Sequence, residues 1–285
     1  MNKKILKYGI PFLALIIVLG ALIIHGNFNL ETTEYTIENE SLPKSFDGFK
    51  LVQISDLHNA SFGESNKNLL EIIEAEKPDA VFVTGDSIDR FRTDIEVPIE
   101  LLKNILKQCD VYFIIGNHEL GADNNAYFKF IDALTEMGVF VLKDSDAYIE
   151  RDNEKIQIIG LNDASNYKAI YNDDFKVNLT DTINKFDDEN CFSILLSHHP
   201  ELFPEYSLTN IDLVFSGHAH GGQFRLPLLG GVVAPEQGLF PKYDAGVFTE
   251  NNTTMIVSRG LGNSIIPVRI NNSPEVVIVT IKTVD

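Results

Sequence analysis

One repeated pattern constrains the fold of this chain more than any other feature. A short apolar run rich in Val, Ile and Phe ends in a small cluster of Gly, Asp, Asn or His, and a helical stretch often follows. Such apolar runs lie at residues 51–54, 80–83, 111–115, 192–196 and 213–215. Apolar side chains recur at the spacing of one helical face over residues 66–76, 99–106 and 126–137. Strands that alternate with helices predict a layered α/β domain, in which ligand-binding residues gather at the carboxyl ends of the strands.

The later half of the chain, from Ile156 through Val257 to Ile281, has more strand than helix. The sheet is therefore expected to be mixed, and a sandwich of two sheets is one form that it can take. A chain of 285 residues can form one large domain or two small ones. Because the sequence contains no tandem repeat and no low-complexity linker, we expect one domain over residues 31–285.

Residues 1–30 differ in composition from the rest. Lys3, Lys4 and Lys7 accompany an uncharged apolar segment, Gly9–Ile24, of 16 residues. With Ile5–Tyr8 it approaches the ~20 residues of a transmembrane helix. A signal peptide has the same pattern, but no small-residue cleavage site follows, which favours an uncleaved anchor. The lysines then predict a single-pass protein of the cell membrane with its globular body outside the cytoplasm, whereas cleavage would release that body to the cell wall or the medium.

Charge and cysteine content exclude some classes of protein. The net charge of -18 repels nucleic-acid backbones and anionic lipid surfaces, so no nucleic-acid partner is expected. Cys109 and Cys191 have neither CxxC nor metal-finger spacing, and we interpret both as buried free thiols. Sulfur is therefore not expected to supply a metal site.

Residues with metal-binding side chains follow five of the predicted strands. Helix capping or a satisfied core imidazole readily explains one such residue, but not five strand ends that all carry them. The candidate metal ligands are Asp56, His58, Asp86, Asn117, His198, His218 and His220.

Seven ligands suit two divalent metal ions with roughly four protein ligands each, if one carboxylate bridges the ions. Oxygen and imidazole ligands without thiolate indicate Mn, Fe or Zn, of which we favour Mn. Two such ions would activate a bridging water and clamp the oxygens of a phosphoryl group. The predicted chemistry is hydrolysis of a phosphate ester or anhydride.

The ordered motifs resemble those of the calcineurin-like metallophosphoesterase superfamily over Leu51 to Gln223. They are Asp56-x-His58, Gly85-Asp86-x-x-Asp89-Arg90, Gly116-Asn117-His118-Glu119, Ser197-His198 and Gly217-His218-x-His220. The resemblance implies a four-layer α/β/β/α sandwich and a metal-bridging hydroxide that attacks phosphorus. It assigns Asp56, His58 and His220 to one ion, assigns Asn117, His198 and His218 to the other, and makes Asp86 the bridge.

The same resemblance gives roles to residues that are not ligands. His118 becomes a candidate proton donor to the leaving oxygen or a hydrogen-bond donor in the transition state, and Asp89 is expected to orient its imidazole and keep it protonated. Arg90 is a candidate for holding phosphate oxygens, with a surface salt bridge as an equal alternative. His199 is expected to be a structural neighbour of the ligands.

Motifs further along the chain narrow the resemblance to a membrane-associated bacterial branch called YkuE-like. They are Gly221-Gly222-Gln223-x-Arg225-x-Pro227, Ser258-Arg259-Gly260-Leu261-Gly262, Pro267-x-Arg269 and Pro274-Glu275. Arg259 is a candidate substrate contact, and an arginine fixed by carboxylates is a comparable interpretation.

The function predicted from the sequence is that of a dinuclear phosphodiesterase or phosphatase at the outer face of the cytoplasmic membrane. Its substrate is then a phosphoester, with lipid-linked and cell-wall-linked esters among the candidates. Two alternatives stay open: a lipid-nucleotide pyrophosphatase of the UDP-diacylglucosamine type, and a non-catalytic surface protein that metal stabilises.

Overall fold

Two six-stranded sheets lie at the centre of the structure, a computed structural model that describes residues 3–171, 175–186, 188, 190–263 and 265–284. In chain order the strands are β1 (Glu31–Asn39), β2 (Phe49–Ile54), β3 (Ala80–Thr84), β4 (Asp110–Ile114), β5 (Phe140–Leu142), β6 (Ser145–Arg151), β7 (Glu154–Gly160), β8 (Ser193–Leu196), β9 (Leu213–Ser216), β10 (Arg225–Leu226), β11 (Gly230–Gly231), β12 (Val233–Ala234), β13 (Gly238–Leu239), β14 (Gly246–Glu250), β15 (Thr253–Val257) and β16 (Glu275–Thr283).

Eight α-helices are formed by the residues that the structure describes. They are α1 (Lys3–Phe28), α2 (Lys67–Glu76), α3 (Glu96–Ile105), α4 (Asn117–Gly121), α5 (Asn124–Glu136), α6 (Ala164–Tyr171), α7 (Phe175–Asn184) and α8 (Phe203–Tyr206). Helices α2, α3 and α5 lie close to the three helical stretches predicted from apolar periodicity. Because those stripes are apolar on one side only, each helix buries that side against a sheet.

Both sheets are mixed, as predicted. The first has the order β1-β16-β2-β3-β4-β5, with β2 to β5 parallel and β16 antiparallel to β2. The second has the order β14-β15-β9-β8-β7-β6, with β15, β9, β8 and β7 parallel and an antiparallel strand at each edge. Parallel strands end on the same side, so the loops after β2, β3 and β4 and those after β8 and β9 each form a group.

Alternate side chains of the central strands serve two different cores. In β3, Val81 and Val83 pack with the helices of the first sheet, whereas Phe82 faces the second sheet. The Phe82 ring meets that of Phe215 in β9 with centroids 5.1 Å apart. A third core joins the second sheet to α7 and α8. Helices thus cover the outer faces of two stacked sheets, and burial of each large side chain between them contributes roughly 1.5–3 kcal/mol.

Helix α1 forms over Lys3–Phe28, but the predicted transmembrane anchor is not found. No helix among the described residues is long and apolar enough to cross a membrane. The uncharged stretch Gly9–Ile24 has 16 residues, fewer than the ~20 that a spanning helix needs. The last turn of α1 contacts the sheets' C-terminal loops instead, where Asn27 Oδ1 accepts hydrogen bonds from Asn263 Nδ2 at 2.7 Å and Arg269 N at 3.3 Å.

Candidate metal centre

The predicted ligands meet where the carboxyl ends of both sheets come together. A hydrogen bond from Gln53 Nε2 to the carbonyl oxygen of Ser216, 2.9 Å long, joins β2 to β9 just below them. Six of the seven ligand side chains are buried, and Asn117 is partly buried. Asp56 and His58 follow β2, Asp86 follows β3, Asn117 follows β4, His198 follows β8, and His218 and His220 follow β9.

Five of these seven residues have the left-handed backbone conformation, which non-glycine residues seldom adopt. Each such residue costs roughly 1–2 kcal/mol, and strained positions of this kind cluster at functional sites. The conformation turns each side chain inward directly after its strand. The φ angles are 52° at Asp56, 46° at His58, 54° at Asp86, 65° at His218 and 48° at His220.

Two glycines leave room for the carboxylates of the cluster. A Cβ on Gly116 would collide with Asp86 Oδ1, and a Cβ on Gly217 would collide with Ser55 Oγ and with Asp56 Oδ2. Such contacts do not occur, so any other residue at either position would displace a carboxylate. The glycines in the Gly-Asn-His and Gly-His-x-His motifs are thus required by close approach.

The first cluster consists of Asp56, His58 and His220. His58 Nε2 lies 3.3 Å from His220 Nε2, and Asp56 Oδ1 lies 3.4 Å from His220 Nε2 and 3.9 Å from His58 Nε2. Burial lowers the pKa of His58 to about 4 and that of His220 to about 3, against the opposing charges of Asp56 and Asp86. Both imidazoles are therefore neutral near pH 7, and their lone pairs are available to a cation.

The second cluster consists of Asp86, His198 and His218. His198 Nε2 lies 3.2 Å from Asp86 Oδ2 and 3.2 Å from His218 Nδ1. His198 Nδ1 donates to the carbonyl oxygen of Thr84 at 2.7 Å, which turns Nε2 toward the cluster. Burial opposes charge on His198, but Asp86 and their hydrogen bond raise the pKa of His198 well above its usual value and hold that of Asp86 well below.

Asp86 lies between the two clusters, in the position predicted for a bridge. Its Oδ2 is 3.7 Å from His58 Nε2 and 3.2 Å from His198 Nε2. Asn117 Oδ1, in the same cleft, is buried and has no hydrogen-bond partner among the described residues. Converging imidazole nitrogens, two carboxylates and an unsatisfied amide oxygen form a donor set that fits divalent metal ions.

The structure holds His118 differently from the prediction. The backbone N–H of Arg90 donates to His118 Nδ1 at 3.2 Å, whereas Asp89 Oδ1 is 3.8 Å away. The carboxylate of Asp89 accepts from Phe91 N at 2.8 Å and from Arg92 Nη2 at 2.7 Å. Burial lowers the pKa of His118. Since Nδ1 accepts, the ring is a neutral imidazole with its proton on Nε2, not the protonated ring that an Asp89 partner would favour.

The two candidate substrate arginines have different surroundings. Arg90 lines the cleft, and its Nε has no hydrogen-bond partner among the described residues. Arg259 instead donates from Nε to Glu275 Oε1 at 2.9 Å and from Nη2 to Glu31 Oε2 at 3.1 Å. The structure therefore favours the carboxylate-fixed interpretation of Arg259 over substrate contact.

Glu119, the last residue of the Gly116-Asn117-His118-Glu119 motif, holds the loop that carries Asp86. The sequence did not predict this role. Its carboxylate accepts from Gly116 N and Asp86 N at 2.8 Å each, from Ser87 N at 2.7 Å and from Ile88 N at 3.1 Å. Burial and the charge of Asp86 raise the pKa of Glu119 to about 8, and these N–H groups oppose that rise. Its place in the first turn of α4, three residues after Gly116, was the available sequence signal.

His199 lies beside the second cluster and binds carboxylates with both nitrogens. Nε2 is 2.8 Å from Asp163 Oδ2, Nδ1 is 2.7 Å from Glu201 Oε1, and the ring lies 4.2 Å from that of His218. Burial opposes the charge, yet these two acids raise the pKa of His199 to about 9. Neither acid was predicted from the sequence, nor was Glu236, which contacts His218 from a loop without a motif.

A cleft of about 410 Å³ opens over the clusters. A phosphoester group fits a cleft of this size and polarity, and Arg259 is absent from its described lining. The lining includes Asp86, Arg90, Asn117, His118, His218, His220 and Glu236.

Known proteins are similar to this chain in sequence and in fold. The calcineurin-like phosphoesterase family matches residues 49–222. The uncharacterized metallophosphoesterase YkuE of Bacillus subtilis (strain 168) is 33% identical over 259 residues, which cover 89% of this chain and 86% of that protein. An uncharacterized metallophosphoesterase of Aquifex aeolicus (strain VF5) is 29% identical over 272 residues, covering 93% of this chain and 97% of that protein. The NAD nucleotidase NadN of Haemophilus influenzae shares the fold with a TM-score of 0.51 at 18% identity, over 75% of this chain and 45% of NadN. The chain therefore belongs to the calcineurin-like phosphoesterase family of hydrolases.

Proposed function

We propose that this protein hydrolyses phosphoesters with two divalent metal ions, for which Mn²⁺ is the first choice. The observation that carries the proposal is the convergence of two buried donor clusters on Asp86, beside an amide oxygen without a partner. Bound ions would supply Lewis-acid activation of water and of the phosphoryl oxygens. The residues that would hold them are Asp56, His58, Asp86, Asn117, His198, His218 and His220.

His118 is the hydrogen-bond donor to the leaving oxygen in this proposal. Because Arg90 N–H occupies Nδ1, the ring proton is on Nε2, where it can donate a hydrogen bond to the leaving oxygen as negative charge develops there. The ring is held edge-on to His58, with centroids 4.4 Å apart. Solvent in the open cleft supplies the proton that the leaving oxygen finally takes, so the ring stays a neutral imidazole throughout.

Arg90 supplies a positive charge for the phosphate in this proposal. No carboxylate lies within ion-pair distance of its guanidinium among the described residues, which is unusual in a chain of net charge -18. Arg259, with its two carboxylate partners, is the matched control. Arg90→Ala should raise KM about tenfold, the effect of losing one charged hydrogen-bond donor, and Arg259→Ala should leave KM within about twofold.

Turnover of bis-p-nitrophenyl phosphate tests the proposal directly. Protein stripped with EDTA should lose turnover, and Mn²⁺ should restore it with close to two ions bound per chain. A folded protein that binds Mn²⁺ but cleaves no phosphoester would contradict the proposal. If Mn²⁺ also raised its thermal stability, that result would support a non-catalytic surface protein that metal stabilises.

A lipid-linked pyrophosphate is the second candidate substrate, and an apolar groove supports it. The groove has a volume of about 280 Å³ and shares His220, Pro235 and Ile265 with the cleft. Val233 and Ile266 extend its apolar lining, which suits a hydrocarbon chain beside a scissile phosphate. A panel of UDP-lipid, phospholipid and water-soluble diesters at equal concentration separates the candidates. Preference for the soluble diesters would contradict the lipid assignment.

The location outside the cytoplasm and the membership of a membrane-associated branch stay predictions. They rest on the N-terminal lysines and the apolar stretch that follows them. Protease added to intact cells should digest the protein if it lies outside the cytoplasmic membrane, and protection until lysis would contradict that location.

A further inference from the structure

Glu236 contacts the distal nitrogen of a predicted ligand. Its Oε2 lies 2.6 Å from His218 Nε2, while Nδ1 of the same ring lies 3.2 Å from His198 Nε2 inside the second cluster. One edge of the His218 ring thus faces the cluster and the opposite edge faces a carboxylate. Because a carboxylate only accepts, this contact places the ring proton on Nε2 and leaves the Nδ1 lone pair directed into the cluster.

The backbone around Glu236 is strained into this position. Glu236 has a φ of 54°, and Gln237 N donates to the carbonyl oxygen of Pro235 at 2.6 Å across a three-residue turn. The Gln237 side chain is fixed in turn by two hydrogen bonds of 2.9 Å to the backbone of Tyr243. A non-glycine residue in such a turn is rare, and strain of this kind persists where the surrounding structure enforces it for function.

Among the described residues, no carboxylate meets the distal nitrogen of the other three ligand imidazoles. His198 Nδ1 donates to a backbone carbonyl oxygen, and His220 Nδ1 is 3.4 Å from Arg269 Nη2. His58 Nδ1 has no hydrogen-bond partner among the described residues. Carboxylates behind a ligand imidazole orient the ring and raise its basicity, so only the second cluster gains this support.

We infer that Glu236 is a positioning residue that fixes the tautomer and orientation of His218 and so strengthens divalent-cation binding at the second cluster. This inference rests on the proposed metal-dependent function. The rival arrangement is a third cation held by His199, Glu201, His218 and Glu236, whose donor atoms also lie close together. Both nitrogens of His199 already face carboxylates, which accounts for that group without an ion.

Titration of the metal-free protein with Mn²⁺, followed by the EPR signal of the free ion, tests the inference. Glu236→Ala should weaken one of two Mn²⁺ sites about 10–100-fold and leave the other within about twofold. Glu236→Gln should lie between wild type and Glu236→Ala, because an amide oxygen still accepts from Nε2–H. The unfolding temperature in EDTA should stay close to that of wild type in both variants.

Glu250→Gln is the matched control. The Glu250 side chain is 42% exposed and that of Glu236 is 43% exposed, but the carboxylate of Glu250 lies near Lys242 and Tyr243 and not near a ligand. It removes the same charge and should change neither site.

Three results would overturn the inference. In the first, the Mn²⁺ affinities of both sites in Glu236→Ala stay within about twofold of wild type. In the second, Glu250→Gln weakens Mn²⁺ binding as much as Glu236→Gln does. In the third, wild type binds three Mn²⁺ ions and Glu236→Ala binds two. In each case the proposed phosphoesterase function survives, because wild type still binds Mn²⁺ and turns over substrate. Wild type that binds no Mn²⁺ would instead remove the proposed function and this inference together.

Discussion

The two clusters on either side of Asp86 offer similar donors but differ in what lies behind them. In the first cluster, burial dominates: it lowers the pKa of His58 to about 4 and that of His220 to about 3. The guanidinium of Arg269, 3.4 Å from His220 Nδ1, adds a further positive charge there. These imidazoles are buried and neutral, and no hydrogen bond to an oxygen atom among the described residues raises their basicity toward a cation.

In the second cluster, hydrogen bonds to oxygen dominate. His198 donates to the Thr84 carbonyl oxygen, and His218 meets the Glu236 carboxylate. Oxygen acceptors behind a ligand imidazole raise its basicity. Because the surroundings of the ligands differ in this way, we expect the second cluster to bind its ion more tightly than the first.

Removal of the shared carboxylate should have the largest effect. Asp86→Asn keeps the shape but removes the charge that faces both His58 and His198. We expect at least about a 10³-fold loss of kcat and loss of both Mn²⁺ ions by metal analysis. A variant that kept one ion per chain would break the comparison, because the clusters would then not depend on a common bridge.

Substitution of one imidazole at a time should sharpen the comparison. His220→Ala and His218→Ala should each lower kcat about 10²–10³-fold, since two-metal catalysis needs both ions. We expect His220→Ala to retain its remaining ion through dialysis, and His218→Ala to lose most of its Mn²⁺, because the second cluster is the tighter one. Equal retention in the two variants, measured by metal analysis, would show that the difference in surroundings has no effect on affinity.

His118→Ala tests a residue that belongs to neither cluster. We expect kcat for bis-p-nitrophenyl phosphate to fall about 10²-fold, the usual effect of losing one positioned hydrogen-bond donor, while close to two Mn²⁺ ions remain bound. A substrate with a better leaving group should lose less. Loss of metal would instead make His118 structural, in line with its edge contact to His58.

The strand ends and their ligand residues could be predicted because both depend on local sequence. Apolar runs specify the strands, and the residues directly after them reach one edge of a parallel sheet. Of the two partners of Arg259, Glu31 lies far away in the chain and carries no motif, and the Pro274-Glu275 motif does not indicate that Glu275 pairs with an arginine. Glu236 likewise reaches His218 only because its backbone has a positive φ, and the sequence of the turn does not predict that conformation. Tertiary contacts of single charged side chains therefore escaped prediction. The contact of Asp89 with Arg92 is different, because Arg92 is only three residues further along the chain.

The smallest expected effect concerns His199, which lies beside the second cluster, and it appears only in the stability of the protein. Burial opposes charge on His199, but Asp163 and Glu201 raise its pKa to about 9, above the ~6.5 of an unfolded chain. The interaction of charged His199 with these two carboxylates therefore stabilises the metal-free protein fully below about pH 6.5. This contribution is lost as pH rises through about 9. His199→Gln should cost on the order of 2 kcal/mol at pH 6 in urea unfolding with EDTA, and the difference from wild type should shrink by pH 10. A difference that did not change with pH would mean that His199 supports His218 through ring packing, at 4.2 Å between centroids, and not through its charge.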